Sequence, residues 1–181
     1  HHHTPATTRL RQDCKVHRRL RTLVYASRSS IYGDAESYPT AETGRPQPVS
    51  PYGVTKLAAE HLCELYRTNF DIPTASLRLF TVYGPRQRPD MAFRRLIEAG
   101  IGGAPFALYG DGRQTRDFTF VGDVVAAFLG AAESSWCGVA NIGGGARTDM
   151  RRVVEIVTDL VGAPTVIQRP TVHGDVRDTA A

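Results

Sequence analysis

The sequence has 181 residues, of which 41% are apolar and 22% charged. This length suits one domain or a piece of a larger protein, and the longest charge-free apolar run, VVAAFLGAA, is too short to cross a bilayer. Three cysteines without metal-ligand spacing, and no apolar signal core, predict a cytoplasmic protein with no metal site and no membrane partner.

The net charge of +4 is concentrated at the amino end, where residues 1–22 hold six of the 22 basic side chains and one of the 18 acidic ones. The rest of the chain is about neutral, whereas nucleic-acid binding requires a basic surface. We therefore predict no nucleic-acid partner. Residues 1–20 are interpreted as a basic leader, with the first three histidines as a purification-tag remnant. A basic-tailed binding module is the alternative.

Hydrophobic periodicity and turn residues predict helices alternating with strands. The predicted helices are Arg9–Leu20, Pro51–Phe70, Met91–Ala99, Asp123–Ala132 and Thr148–Val161. The predicted strands are Thr22–Ser27, Thr74–Phe80, Phe106–Tyr109, Arg116–Phe120, Val139–Ile142 and Thr165–Gln168. Such alternation is typical of the α/β class with a parallel sheet.

The helix that begins SPYGVTK has a clear start, with Ser50 as N-cap and Pro51 at the first helical position. At 100° per residue, Tyr52 and Lys56 share one face. The opposite stripe is predicted to face the core and consists of Val54, Leu57, Ala58, Leu62 and Leu65. A nearby cation and the helix dipole favour a phenolate, so Tyr52 is a candidate base. Alone, this spacing is a weak motif.

Six segments together carry a resemblance: LVYASRSSIYGD, SPYGVTKLAAEH, RLFTVYGPRQRPDMAF, YGDGRQTRDFTFVGDV, NIGGG and GDVRDTAA. In this order they resemble the extended short-chain dehydrogenase/reductase family of NAD-dependent nucleotide-sugar epimerases and dehydratases. The resemblance implies part of a Rossmann-like parallel sheet with helices on both faces, plus a small sugar-nucleotide-binding region. It also implies NAD as cofactor, a nucleotide-diphosphate sugar as substrate, and a homodimer.

The resemblance also implies roles for single residues. Tyr52 matches the catalytic base, and Lys56 matches the lysine that holds the nicotinamide ribose and lowers the pKa of the tyrosine. Further cofactor contacts are expected at Ala26, Ser27, Phe80 and Val82, and substrate contacts at Thr81, Arg88, Arg116, Asp175 and Arg177. For each arginine taken singly, a surface salt bridge is an equally good interpretation.

Arg28 occupies the position at which the family has its third catalytic residue, a serine or threonine four residues before the tyrosine of the strand-end motif. A guanidinium has five donors and no acceptor, so it cannot relay a proton. On a strand, Ser27 and Ser29 point away from Arg28, which leaves Ser30 as the candidate substitute. The alternative is that a local irregularity turns Arg28 to solvent.

The sequence contains neither GxGxxG nor GxxGxxG, the glycine-rich turns that hold the NAD pyrophosphate. We therefore expect an amino-terminally truncated member with an uncovered sheet edge and impaired activity. Residues 21–80 are assigned to the NAD-binding half and 81–181 mostly to a carboxyl-terminally incomplete substrate half. Ser29 and Ser30 replace the Asp-Glu pair of 4,6-dehydratases, which favours 4-epimerisation of a UDP-sugar. A non-catalytic relative and a dehydratase remain alternatives.

Overall fold

The computed structural model describes residues 7–9, 12–14, 20–171 and 176–181. Its strands are β1 (Leu23–Arg28), β2 (Thr74–Leu79), β3 (Thr81–Tyr83), β4 (Pro105–Tyr109), β5 (Thr115–Phe120), β6 (Gly138–Ile142), β7 (Arg147–Asp149) and β8 (Thr165–Arg169). Its named helices are α1 (Pro51–Phe70), α2 (Ala92–Gly102), α3 (Val121–Glu133) and α4 (Met150–Val161). Residues 7–9 and 12–14 are also helical, within or next to the first predicted helix. None of the described helices has the length and apolar character that a bilayer span requires.

The central sheet is parallel, with the strand order β1-β2-β6. Side chains alternate between its two faces. Ser27 and Arg78 contact α1 from one face, while Leu77 and Leu79 pack against α3 on the other. The prediction of a parallel sheet with helices on both faces is therefore confirmed. In the described part of the chain β1 is an edge strand, as expected for the uncovered edge.

The predicted orientation of α1 is wrong. Its buried face consists of Gly53, Lys56, Ala59, Glu60, Cys63 and Tyr66. By contrast, Val54 is 52% exposed and Leu65 is 46% exposed. The sheet face under α1 carries polar groups that bind Lys56 and Glu60, and the absence of a side chain at Gly53 allows close approach. A Cβ at Gly53 would lie 2.6 Å from the carbonyl oxygen of Ser30.

A second region is built on short strands that the sequence pattern did not all reveal. β5 pairs in parallel with β3 and antiparallel with β7, and β4 pairs in parallel with β8. β3 and β7 were not predicted, since each has only three residues. The core of this region joins α2, β4 and α4 through a cluster of buried apolar side chains: Leu96, Ala99, Phe106, Met150, Val153 and Val157.

The NIGGG motif forms a tightly packed corner. The buried carboxylate of Asp117 accepts hydrogen bonds from the backbone N–H of Gly144 at 2.5 Å and of Ala181 at 3.2 Å. A Cβ on Gly144 would lie 2.3 Å from the carbonyl oxygen of Phe118. The glycine at this position is therefore explained by the close approach of two backbone segments.

Candidate functional site

Tyr52 and Arg28 lie on the same cavity wall, at the carboxyl edge of the central sheet. Arg28 is the last residue of β1, and Tyr52 lies in the first turn of α1. Both line a cavity of about 510 Å³ that is completed by Val82 to Arg88, Met91 and Val121. In parallel α/β sheets, ligands bind beyond the carboxyl ends of the strands. This cavity is therefore the candidate active site.

Lys56 joins α1 to β1 behind this cavity. Its Nζ donates a hydrogen bond to the carbonyl oxygen of Ala26 at 3.0 Å and lies 5.9 Å from the centre of the Tyr52 ring. The residue is 8% exposed. Burial, followed by the positive charge of Arg28, holds the pKa of Lys56 below the ordinary lysine value. The ammonium is thus positioned by a backbone contact and is near enough to act electrostatically on the phenol.

We expect the pKa of Lys56 to be lower in the folded protein than in the unfolded chain. Between the lowered pKa of Lys56 in the folded protein and about 10.4 in the unfolded chain, the unfolded state binds more protons. The free energy of unfolding therefore rises with pH across that window. Below the window, the amine is charged in both states, and the cost of burying the charged Lys56 does not change with pH. NMR of the ¹³C-methylated lysines in the folded and in the denatured chain measures both midpoints, with Lys15→Arg as the assignment control. Equal midpoints would contradict this prediction.

The strand alternation from which the directions of the Ser27, Ser29 and Ser30 side chains were predicted ends at Arg28. Residues Ser29–Ile31 form a 3-10 turn, so Ser30 does not continue the strand pattern. Ser30 is not among the described residues that line the cavity, yet its Oγ is buried without a hydrogen-bond partner in the described part of the chain. Arg28 Nε is likewise buried without a hydrogen-bond partner in the described part of the chain. Because nearly all buried polar groups are paired, these two atoms mark the end of β1 as a place where a ligand fits.

The expected cofactor contacts fall into two groups. Ala26 offers its carbonyl to Lys56, and Val82 lines the cavity, so both lie at the site. Ser27 is fully buried, and its hydroxyl donates to Glu60 at 2.6 Å. Phe80 is 1% exposed and packs on Ile31 and Tyr32. The side chains of Ser27 and Phe80 therefore pack in the core, and the cofactor contacts expected at these two residues stay predictions.

The expected substrate residues are spread over two cavities. Arg88 lines the first one and pairs with Asp90 at 3.2 Å on the surface. Thr81 and Arg116 line a second cavity of about 300 Å³. Gln87 and Met91 line both cavities, which makes the two contiguous.

Of the two carboxyl-terminal candidates, Arg177 lies beside Arg116. The NH1 of Arg116 donates to the carbonyl oxygen of Arg177 at 2.8 Å, which ties Arg116 to residues 176–181. The Arg177 side chain is exposed and does not belong to the described lining of either cavity. Asp175 lies outside the described residues.

A buried polar network beneath α1 was missed in the sequence. Glu60 accepts from Arg78 NH2 at 2.6 Å, with both side chains 6% exposed. Arg78 NH1 donates to the Tyr32 hydroxyl at 2.6 Å and to the carbonyl oxygen of Glu42 at 2.8 Å. The Tyr32 hydroxyl in turn donates to Asn141 on β6 at 2.8 Å. Burial raises the pKa of Tyr32.

Two signals in the sequence could have revealed this network. Glu60 follows Lys56 by four residues and so shares its helix face, and Arg78 is the one charged residue in its strand. Together they fix α1 on the sheet, since Glu60 binds both β1 and β2.

Comparison with known proteins identifies the family. The model described as "NAD dependent epimerase/dehydratase family" matches residues 1–143. The chain belongs to this family. It is 45% identical over 164 residues to the "Uncharacterized UDP-glucose epimerase YtcB" of Bacillus subtilis, covering 89% of this chain and 51% of that protein. It is 36% identical over 181 residues to a "Probable UDP-glucuronate 4-epimerase" of Rhizobium meliloti, covering 88% and 53%.

Solved structures of family members share the fold. UDP-glucuronic acid 4-epimerase from Bacillus cereus, in complex with UDP-glucuronic acid and NAD, superposes with a TM-score of 0.93 at 41% identity, covering 99% of this chain and 58% of that one. UDP-glucose 4-epimerase from Thermus thermophilus, in complex with NAD, gives 0.90 at 33% identity, covering 96% and 59%. The family resemblance is thus confirmed, and the family is one described as NAD dependent. The chain spans about half the length of the curated relatives it matches.

Proposed function

We propose that this chain forms part of an NAD-dependent UDP-sugar 4-epimerase. The observation that carries this proposal is the shared wall of Tyr52 and Arg28 with Lys56 buried behind it. The family relationship and the NAD-bound structural neighbours support it. The whole reaction also requires groups for the NAD pyrophosphate, for which the sequence offers no glycine-rich turn.

NAD, when bound, supplies the chemistry of removing a hydride from the sugar carbon and returning it to the opposite face. The residues present fit its nicotinamide end, because Lys56 and the unpaired atoms of Arg28 and Ser30 gather at the carboxyl end of β1. In our proposal Tyr52 accepts the proton of the sugar hydroxyl and later gives it back. The Lys56 ammonium, 5.9 Å from the ring, stabilises negative charge on the phenol oxygen.

Arg28 is proposed to slow this reaction. The guanidinium cannot accept a proton and is longer than a hydroxymethyl group. Ser30 keeps its proposed relay role and would act from outside the described cavity lining. The unpaired Nε of Arg28 also favours a second candidate, a relative that binds a nucleotide sugar without turning it over.

The substrate side is proposed to extend into the second cavity. Arg116, with Thr81 beside it, would hold the diphosphate there, since guanidinium groups bind phosphate oxygens well. Arg88, which the resemblance also assigns to the diphosphate, lines the first cavity. A homodimer through α1 is proposed on the resemblance, and the exposed Val54 and Leu65 support it.

Conversion of UDP-glucose or UDP-glucuronate to its 4-epimer, followed by proton NMR with added NAD, tests the proposed function. We expect slow conversion by the chain and a loss of about 10²-fold or more in Tyr52→Phe. Tyr38→Phe is the control, because that hydroxyl bonds the backbone of Asp178 outside both cavities. Binding of the nucleotide sugar without conversion would favour the non-catalytic relative. A 4-keto product would favour the dehydratase. If the chain did not bind the nucleotide sugar, all three functions would be refuted.

A further inference from the structure

The strongest unexplained feature is a pair of buried polar atoms without partners at the end of β1. Among the described residues, Arg28 Nε and Ser30 Oγ are the side-chain atoms that are buried and lack a hydrogen bond. A buried donor without an acceptor is unfavourable, and a guanidinium N–H can be satisfied only by an acceptor. A ligand that places an acceptor at Arg28 would therefore supply the missing hydrogen bond.

The charge of the cavity defines what that acceptor is. Its described lining contains three arginines, Arg28, Arg86 and Arg88, and neither aspartate nor glutamate. Arg88 is neutralised by Asp90, whereas Arg28 forms no ion pair within the described residues. Lys56 adds a further cation behind the wall, and its lowered pKa reflects in part the charge of Arg28. The acceptor that balances this site is an anionic oxygen, because guanidinium groups form strong, often bidentate hydrogen bonds with carboxylates and phosphates.

The position of Arg28 distinguishes the sugar from the diphosphate. Arg28 shares its cavity wall with Tyr52, and the proposed base must lie against the reacting sugar. Of the arginines expected around the diphosphate, Arg116 lies in the neighbouring cavity, while Arg88 lines the same cavity as Arg28 and is paired with Asp90. Because Arg28 lines the cavity beside Tyr52, the anionic group within its reach is assigned to the sugar.

Resting on the proposed function, we infer that Arg28 is a specificity-determining residue that binds a carboxylate on the sugar, with its Nε–H donating to a carboxylate oxygen. The replacement of a hydroxyl by a guanidinium thus shifts the preference of the site toward acidic sugars. It does so at the position where a neutral sugar would require only a small polar group.

Isothermal titration of the full chain with UDP-glucuronate, UDP-glucose and UDP, each with NAD present, tests this inference. We expect UDP-glucuronate to bind at least about tenfold more tightly than UDP-glucose, which corresponds to about 1.4 kcal/mol. Arg28→Ser should remove that difference and leave the affinities for UDP-glucose and UDP nearly unchanged. Arg28→Lys, which keeps the charge and loses the planar fork, should retain part of the preference. Arg152→Ser on α4 is the matched control, because Arg152 is exposed and pairs with Glu155.

Each outcome separates the inference from the proposed function. An equal loss for all three ligands in Arg28→Ser would place the diphosphate at Arg28 and overturn the inference. Unchanged or tighter binding of UDP-glucuronate in that variant would show that Arg28 only crowds the cavity, which also overturns it. If the unmodified chain bound none of the three, the proposed function itself would fail, and the inference with it.

Discussion

Glu60→Gln is expected to lower the free energy of unfolding by about 3–5 kcal/mol, because it leaves the guanidinium of Arg78 buried without its counter-charge. The substitution keeps the size of the side chain, so the loss measures charge and hydrogen bonding rather than a cavity. Glu60 also accepts from Ser27, whose hydroxyl would have to rearrange. Denaturant unfolding followed by circular dichroism gives the free energy.

Glu64→Gln is the matched control for this prediction. It makes the same change one turn further along α1, in a carboxylate that pairs with Arg67 on the exposed surface. Exposed pairs contribute little, so we expect an unfolding curve close to that of the unmodified protein. Similar curves for Glu60→Gln and Glu64→Gln would contradict the view that the buried pair holds α1 on the sheet.

Phe80→Ala is expected to cost about 3–5 kcal/mol of unfolding free energy, the range found for large aromatic side chains in cores. Phe80 lies between β2 and β3, is 1% exposed and packs on Ile31 and Tyr32. The loss should appear in the absence of any ligand, because the side chain acts through packing. Thermal or denaturant unfolding of the ligand-free chain provides the measurement.

Phe70→Ala supplies the comparison, since Phe70 ends α1 and is 45% exposed. We expect a loss of about 1 kcal/mol there, from its ring contact with Tyr66. If Phe80→Ala cost no more than Phe70→Ala and instead weakened NAD binding, the packing role of Phe80 would be contradicted and its prediction as a cofactor contact supported.

The sequence was most informative where local signals agree. Ser50 and Pro51 mark the start of α1, and its predicted range Pro51–Phe70 is the one observed. The orientation of this helix could not be predicted, because Val54 and Leu65 of the apolar stripe are exposed and the buried face holds Lys56 and Glu60. A hydrophobicity pattern assigns charged residues to the surface, and only the partners on other strands reverse that assignment.

For the candidate site, too, the sequence predicted some features and could not predict others. The sequence placed Tyr52, Lys56 and the end of β1 together, and the structure has Tyr52 and Arg28 on one cavity wall with Lys56 bonded to β1 behind it. Strand periodicity could not place Ser30, since the chain turns into a 3-10 helix directly after Arg28. The buried partners of Arg78 also lay beyond prediction, because they come from segments as distant as residues 32, 42 and 60.

The buried hydrogen-bond network around Arg78 also limits which substitutions the sequence can accept. Between the 3-10 turn and α1 the backbone forms neither helix nor strand, yet Arg78 binds the carbonyl of Glu42, and Asn141 binds that of Thr40. Sequence drift at Arg78, Glu60, Tyr32 or Asn141 would release this whole stretch at once. These four positions should therefore be inherited as a set, whereas exposed neighbours such as Glu36 and Thr43 are free to vary among descendants.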